Sequence, residues 1–286
     1  MTLKIEKAGE TGFCFGVRRA IDILERVARE RGSVETLGAL VHNRQVLKRL
    51  SGIGVRVASS IDDIRGDIVV TGAHGISPRV EEELRSRQLT VVNTTCPFVL
   101  RAQKVAQRLA RSGFLVIIYG DANHPEVKGI LGWANNVGLA TLDAGSLASF
   151  EPLPRRLGVL AQTTQIPDHF TEFTKELLGL VLAKDSELRV IDTICHDIRR
   201  RQAAAMDLAS RVDLMLVTGD QTSANTNHLA ELCSGTTTTR LIETADEVEP
   251  AWVQEYRRIG VTGGASTAEQ TISEVLARLE EYTGKS

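Results

Sequence analysis

The sequence predicts an α/β protein built from three similar units with mostly parallel sheets, and three observations predict it. Strand-like apolar runs alternate with helix-period stretches along all 286 residues, as in parallel sheets joined by crossover helices. Three cysteines, Cys14, Cys96 and Cys195, each follow a short apolar run and precede a helical one. Landmarks then recur at fixed distances from them. Five residues on stand Arg19, Arg101 and Arg200; twenty-four on, Gly38, Gly120 and Gly219; twenty-eight on, His42, His124 and Ser223.

In order, Leu3 to Ala8 reads as a strand leading to Gly12-Phe13-Cys14. Val17, Ala20, Ile21, Leu24, Val27 and Ala28 then share one helical face, and Gly32-Ser33 ends that helix. Val34 to Leu40 is a strand, His42-Asn43-Arg44 a turn and Gln45 to Leu50 a helix. Asp67 to Thr71 is a strand followed by Gly72-Ala73-His74-Gly75. Ser77-Pro78 opens the next helix, with serine as cap and proline at the first helical position. Leu89 to Val92 runs into Cys96.

The second unit repeats the plan with a helix from Pro97 to Arg111 and a strand from Phe114 to Tyr119. The loop Gly120 to Glu126 opens a helix at Pro125. Leu157 to Ala161 is a strand ending in Gln162-Thr163-Thr164, Asp168 to Leu182 a helix, and Leu188 to Ile191 a strand before Cys195. The third unit has a helix from Asp197 to Ser210, a strand from Asp213 to Thr218, a loop through Ser223 and Asn225, and a helix from Thr226 to Leu232. Ile259 to Thr262 is a strand ending in Gly263 to Ser266, and Thr267 to Tyr282 is the last helix. No strand follows it, so the N-terminal strand supplies the missing piece. The units are therefore 9–95, 96–194 and 195–286 with 1–8, about a pseudo-threefold axis. Ligands of parallel sheets gather at the carboxyl ends of strands, where every landmark lies.

Composition narrows the class. Hydrophobic content of 42% and charged content of 24% suit a globular chain, and a net charge of −2 leaves no basic footprint for nucleic acid. The early charges Lys4, Glu6 and Lys7 argue against a signal peptide. The longest apolar runs fall far short of the ~20 residues of a spanning helix. A soluble, cytoplasmic chain without membrane or nucleic-acid partners is expected. Four cysteines in such a compartment point to thiolate chemistry or metal rather than disulfides. They form no CxxC pair, so a zinc ribbon or ferredoxin-type run is excluded, and any shared site is assembled by the fold.

Three thiolates and one vacant corner suit a [4Fe–4S] cluster whose fourth iron is open, and Cys96 before Pro97 lies where a helix N-terminus favours thiolate. The alternative is three cysteines in a packed core. Cys233 has no counterpart and reads as a helix-face residue. His42, His74 and His124 fall at strand-to-helix turns, where backbone N–H groups help bind phosphate. Ser223, Asn225 and Ser266 supply neutral donors at matching places. Capping is their alternative: Ser266-Thr267-Ala268-Glu269 fits a capping box and Asn225 could cap its helix, whereas histidines are poor caps. His169, His196 and His228 lie in helical patterns and receive no role. Glu126 reads either as a first-turn glutamate complementing the dipole or as an acid holding its proton near neutral pH, with Thr163 as relay.

Together these residues resemble the 4-hydroxy-3-methylbut-2-enyl diphosphate reductases, the LytB-type iron–sulfur reductases of the non-mevalonate isoprenoid pathway. The segments are Gly12-Phe-Cys-Phe-Gly-Val17, Val41-His-Asn-Arg44, Ala73-His-Gly75, Thr95-Cys-Pro97 and His124-Pro-Glu-Val127. Gln162-Thr-Thr164, Asp192-Thr-Ile-Cys195, Ser223-Ala-Asn225 and Gly264-Ala-Ser266 continue the series across nearly the whole chain. The resemblance implies a trefoil of three α/β units around a [4Fe–4S] cluster held by Cys14, Cys96 and Cys195, with one open iron. It implies that His42, His74, His124, Thr163, Ser223, Asn225 and Ser266 bind the substrate and that Glu126, Thr163 and His124 deliver protons. Two electrons, from ferredoxin or flavodoxin, and two protons would remove the allylic hydroxyl as water, giving isopentenyl and dimethylallyl diphosphate. Ile198 stands where the family usually carries threonine and Ala224 where a second serine is common; each loses a hydroxyl.

Two other classes share parts of this pattern. A hydratase or dehydratase could use the open iron as a Lewis acid without net redox, but a hydroxy-acid substrate calls for arginine clamps. An iron–sulfur scaffold or redox sensor would need neither Glu126 nor the Ser223–Asn225 loop.

Overall fold

Apolar strand runs buried on both faces and amphipathic helices beside them produce three separate sheets. The computed structural model describes residues 3–41, 43–150, 154–181 and 186–284. His42 and the last residue of one expected helix, Leu182, lie outside these. The first sheet-forming stretch comprises β1 (Lys4–Lys7), α1 (Phe15–Arg31), β2 (Val34–Leu37), α2 (Arg44–Ser51), β3 (Val55–Ala58), β4 (Ile68–Thr71), α3 (Pro78–Ser86) and β5 (Thr90–Val92). Next come α4 (Pro97–Arg111), β6 (Leu115–Tyr119), α5 (Pro125–Trp133), β7 (Gly138–Thr141), β8 (Arg156–Ala161), α6 (Pro167–Val181) and β9 (Glu187–Ile191). The chain continues with α7 (His196–Ala209), β10 (Leu214–Thr218), α8 (Ala224–Ser234), β11 (Thr238–Ile242), α9 (Trp252–Glu255), β12 (Arg258–Gly263) and α10 (Glu269–Thr283).

Strand order repeats three times: β3-β2-β4-β5, β7-β6-β8-β9 and β11-β10-β12-β1. Every pairing among the described strands is parallel. In the last sheet the edge taken elsewhere by β5 or β9 is taken by β1, with Lys4 opposite Arg258 and Lys7 opposite Val261. Contacts divide the chain into two units. Met1–Arg18, Val41–Lys48 and His196–Ser286 contain the β1-β12-β10-β11 sheet; Arg19–Leu40 and Arg49–Cys195 contain the other two.

The central strands read as unbroken apolar runs because both of their faces are covered. Val116, Ile117 and Ile118 of β6 and Leu214 to Val217 of β10 are fully buried, each large side chain contributing roughly 1.5–3 kcal/mol. In the larger unit Ala102, Val105 and Leu109 of α4 pack on Val116, Ile118 and Leu160. In the other, Ile272, Val275 and Leu279 of α10 pack on Leu214, Leu216, Ile259 and Val261.

Three strands that periodicity did not reveal, β3, β7 and β11, are sheet edges. Edge strands carry polar residues that blunt pairing, and Thr238-Thr-Arg-Leu-Ile242 and Gly138-Leu-Ala-Thr141 lack the apolar signal of a core strand. The second strand also stops at Leu37, short of the expected Leu40, because Gly38 turns the chain with φ 72°. Among the described residues, no helix is long and apolar enough to cross a membrane.

Candidate functional site

The recurrence seen in sequence is carried into hydrogen bonds. The main-chain N–H groups of Cys14, Cys96 and Cys195 donate to the carbonyls of Ala265, Ala73 and Thr163 at 2.9, 3.0 and 3.0 Å. Each acceptor lies two residues beyond the end of a strand, β12, β4 or β8. Likewise Gly38, Gly120 and Gly219 donate to Ala58, Thr141 and Ile242, the last residues of β3, β7 and β11. The three cysteines are thus held in the same way in all three repeats.

In the larger unit the proline at the start of α5 sets the geometry. His124 is the N-cap, and its Nδ1 accepts the N–H of Glu126 at 3.2 Å. The expectation that histidine would not cap is therefore corrected: an imidazole nitrogen replaces the usual serine or aspartate oxygen. Acceptance at Nδ1 puts the neutral ring's proton on Nε2. The His74 ring stands edge-on to that of His124, with centroids 5.4 Å apart.

Glu126 is 2% exposed. Its Oε1 accepts the N–H of Thr163 at 2.7 Å and its Oε2 accepts the Thr163 hydroxyl at 2.9 Å. Burial pushes the carboxyl up to about 7, outweighing the two Thr163 bonds that lower it. A solvated first-turn glutamate would remain ionised; this one sits at the pH where it can hold or give a proton.

The loop bearing His74 depends on Gly75, whose φ is 73°. A Cβ there would lie 2.5 Å from Gln103 Nε2 and 2.9 Å from Thr95 Cγ2. Gly75→Ala should cost about 2–3 kcal/mol through left-handed strain and overpacking, read as a lower melting temperature; an unchanged one would show that the loop relaxes freely.

In the smaller unit Asn43 caps α2, with Oδ1 accepting the Val46 N–H at 2.9 Å and Nδ2 donating to the Ser266 carbonyl at 2.7 Å. Counting from Cys14 had drawn attention to His42; the asparagine immediately before a helix was the missed signal. Ser223 caps α8, accepting from the Thr226 N–H at 3.4 Å. Asn225 therefore lies inside α8 rather than capping it, and neither of its buried amide atoms has a hydrogen-bond partner. Unpaired buried polar atoms cost about 1–3 kcal/mol each. Ser266 forms no capping box either: Ala268 is the N-cap of α10, without a side-chain bond.

None of the four cysteines is in a disulfide. Cys96 is the N-cap of α4; Cys195 is buried, and burial raises the Cys14 thiol while the Val17 N–H and Arg201 lower it. Cys233 is packed with Ala205, Leu208 and Leu229, and burial pushes it up to about 11, an inert core thiol as its position suggested. Among the described residues, no three His, Cys, Asp or Glu side chains form a group able to hold one metal ion.

The family model described as LytB protein matches residues 5–280. A 4-hydroxy-3-methylbut-2-enyl diphosphate reductase from Dehalococcoides mccartyi strain CBDB1 is 59% identical over 98% of this chain and 99% of its own length. One from Geobacter sulfurreducens is 41% identical, covering 99% of both. The solved reductase of Plasmodium falciparum superposes with a TM-score of 0.91 at 24% identity, over 97% of this chain and 88% of that one. A second solved reductase, described as the terminal enzyme of the non-mevalonate pathway, gives 0.71 at 36% identity over 98% and 100%. The fold is thus the three-unit, trefoil-like α/β class expected. With a family match over nearly its whole length, the chain belongs to the LytB protein family.

Proposed function

We propose that this chain reduces 4-hydroxy-3-methylbut-2-enyl diphosphate to isopentenyl and dimethylallyl diphosphate by two electrons and two protons, the last step of the non-mevalonate pathway. The observation that carries the reading is the buried Glu126–Thr163 pair, poised near neutrality. Breaking an allylic C–O bond needs a proton for the departing oxygen, and a carboxyl that keeps its proton at neutral pH is a suitable donor. Thr163 fixes both carboxyl oxygens, and its hydroxyl can turn to pass the proton outward. His124 supports the same pair through its bond to the Glu126 N–H.

His42, His74, His124, Thr163, Ser223, Asn225 and Ser266 would bind the substrate. The unpaired amide of Asn225 supports this assignment, since phosphate oxygens would satisfy its N–H donors. Ile198, buried in α7, and Ala224, which opens α8, each withhold a hydroxyl from that group of residues.

Cys14, Cys96 and Cys195 fit a [4Fe–4S] cluster with one iron not held by cysteine: three cysteines outside any disulfide, equivalent in the repeat and alike in main-chain anchoring. Each thiolate binds a different iron of such a cluster, so grouping around one ion is not required of them. When bound, the cluster supplies the two electrons one at a time. A ferredoxin or flavodoxin would feed it, in the cytoplasm.

The test is anaerobic reconstitution followed by turnover with a one-electron dye. About four irons and four sulfides per chain and both five-carbon diphosphates are expected. Substrate conversion without electron consumption would instead make the chain a dehydratase.

A further inference from the structure

The threefold repeat is broken at one point, beside Cys14. Two residues before Cys96 and Cys195 stand Thr94 and Thr193, whose hydroxyls donate to the carbonyls of Thr71 and Ala161, the last residues of β4 and β8. Each threonine thereby reinforces the bond from its cysteine N–H to the carbonyl two residues further on. Two residues before Cys14 stands Gly12, which has no hydroxyl. It cannot have one: its φ is 75°, and a Cβ would lie 3.1 Å from Glu269 Oε2, a carboxylate held by Lys7 at 2.5 Å and Thr11 at 2.7 Å.

Arg201 fills the gap. Its Nη1 donates to the carbonyl of Gly263, the last residue of β12, at 2.8 Å and to that of Glu10 at 3.3 Å. Its Nη2 donates to the carbonyl of Gly12 itself at 2.7 Å. Gly12 and Gly263 lie two residues before Cys14 and Ala265, the pair joined by the cysteine N–H. Six residues beyond Cys14 and Cys96, where Arg201 stands relative to Cys195, are Ala20 and Ala102, both fully buried. Arg201 is 4% exposed, and the charged groups around it are Cys14, Glu10, Asp197 and Glu269. Only the Cys14 repeat therefore replaces a neutral hydroxyl with a buried cation.

Resting on the cluster assignment above, we propose that Arg201 is a positioning residue for Cys14, and that its fixed positive charge stabilises the reduced state of the cluster Cys14 helps to hold. A guanidinium can do both because its fork reaches several carbonyls at once and does not lose its proton. Removing it takes away the buried positive charge nearest the thiolate and leaves Glu10, Asp197 and Glu269 with only the exposed partners Lys7 and Arg200, which opposes adding an electron.

The experiment compares Arg201→Gln, Arg201→Lys and, as an exposed neighbouring control, Arg200→Gln. Iron per chain, the midpoint potential by EPR-monitored titration and the melting of the metal-free chain are measured. Arg201→Gln should lower the melting temperature and shift the one-electron equilibrium about tenfold toward the oxidised state, ~59 mV downward. Arg201→Lys should restore the potential but not the melting temperature, because an ammonium keeps the charge without the fork. Arg200→Gln, which removes only exposed ion pairs to Asp197 and Glu10, should shift the potential less than Arg201→Gln and leave the melting temperature unchanged. An unchanged melting temperature in both Arg201 variants overturns the clamp. An unchanged potential in Arg201→Gln at full iron, or an equal shift in Arg201→Lys, overturns the charge effect; Arg201→Met, also neutral, replaces the glutamine variant if that one does not fold. Full iron in Cys14→Ser would sink the cluster assignment instead, leaving the melting result for the clamp standing.

Discussion

Glu126→Gln should lower turnover by about 10²–10⁴-fold while iron content stays at the level of the unmodified chain. Glutamine preserves volume and can still accept the Thr163 N–H, but it has no proton to give. Turnover with an artificial one-electron donor checks it, and a loss of under about twofold would remove Glu126 from proton delivery. The same substitution has a signature in stability. The folded carboxyl is raised from its ordinary 4.5 to about 7, so between those values the folded state binds more protons than the unfolded one. Stability from this group is full below 4.5 and is lost as pH rises through 7, by about 3 kcal/mol in all. Melting from pH 5 to 8 should therefore fall less steeply in Glu126→Gln. For catalysis the sign is the same, since the protonated form is the acid.

Cys14→Ser, Cys96→Ser and Cys195→Ser should each lose most or all of the cluster iron, because serine does not replace a thiolate ligand under ordinary conditions. Cys233→Ser should keep it. Cys233 is packed inside a core and holds its proton up to about 11, so its replacement should cost only about 1–3 kcal/mol for a buried hydroxyl. Iron analysis after oxygen-free purification separates the four variants. Iron lost from Cys233→Ser and kept in any of the others would overturn the ligand set.

Most of the fold was legible because central parallel strands are buried on both faces and so appear as runs such as Val116-Ile-Ile118. The edge strands β3, β7 and β11 were not: β3 and β7 are only four residues long, three of the five residues of β11 are polar, and their pairing is decided by the neighbouring strand. At the site, spacing from the cysteines led to His124, Ser223 and Gly120, but it could not separate capping from binding. Ser223 proved to cap, Asn225 proved to be buried and unpaired, and Ser266 proved not to cap. His124 caps through a ring nitrogen, which no propensity rule anticipates. Asn43 escaped because one extra residue shifts the cap relative to the other repeats. Arg201 was invisible because its role is defined by a hydroxyl that Gly12 lacks.

Because Lys4 pairs with Arg258, one sheet waits for both ends of its own sequence. At translation rates of about 5–20 residues per second, β1 leaves the ribosome roughly 10–50 s before β12 exists. The β2–β5 and β6–β9 sheets draw on contiguous sequence and can form meanwhile. During that interval β1 is an unpaired strand, and the segment carrying Cys14 lacks the Ala265 carbonyl that anchors it. Maturation thus has a built-in order: a nascent chain has the Cys96 and Cys195 anchors early, and the Cys14 anchor is the last to be made.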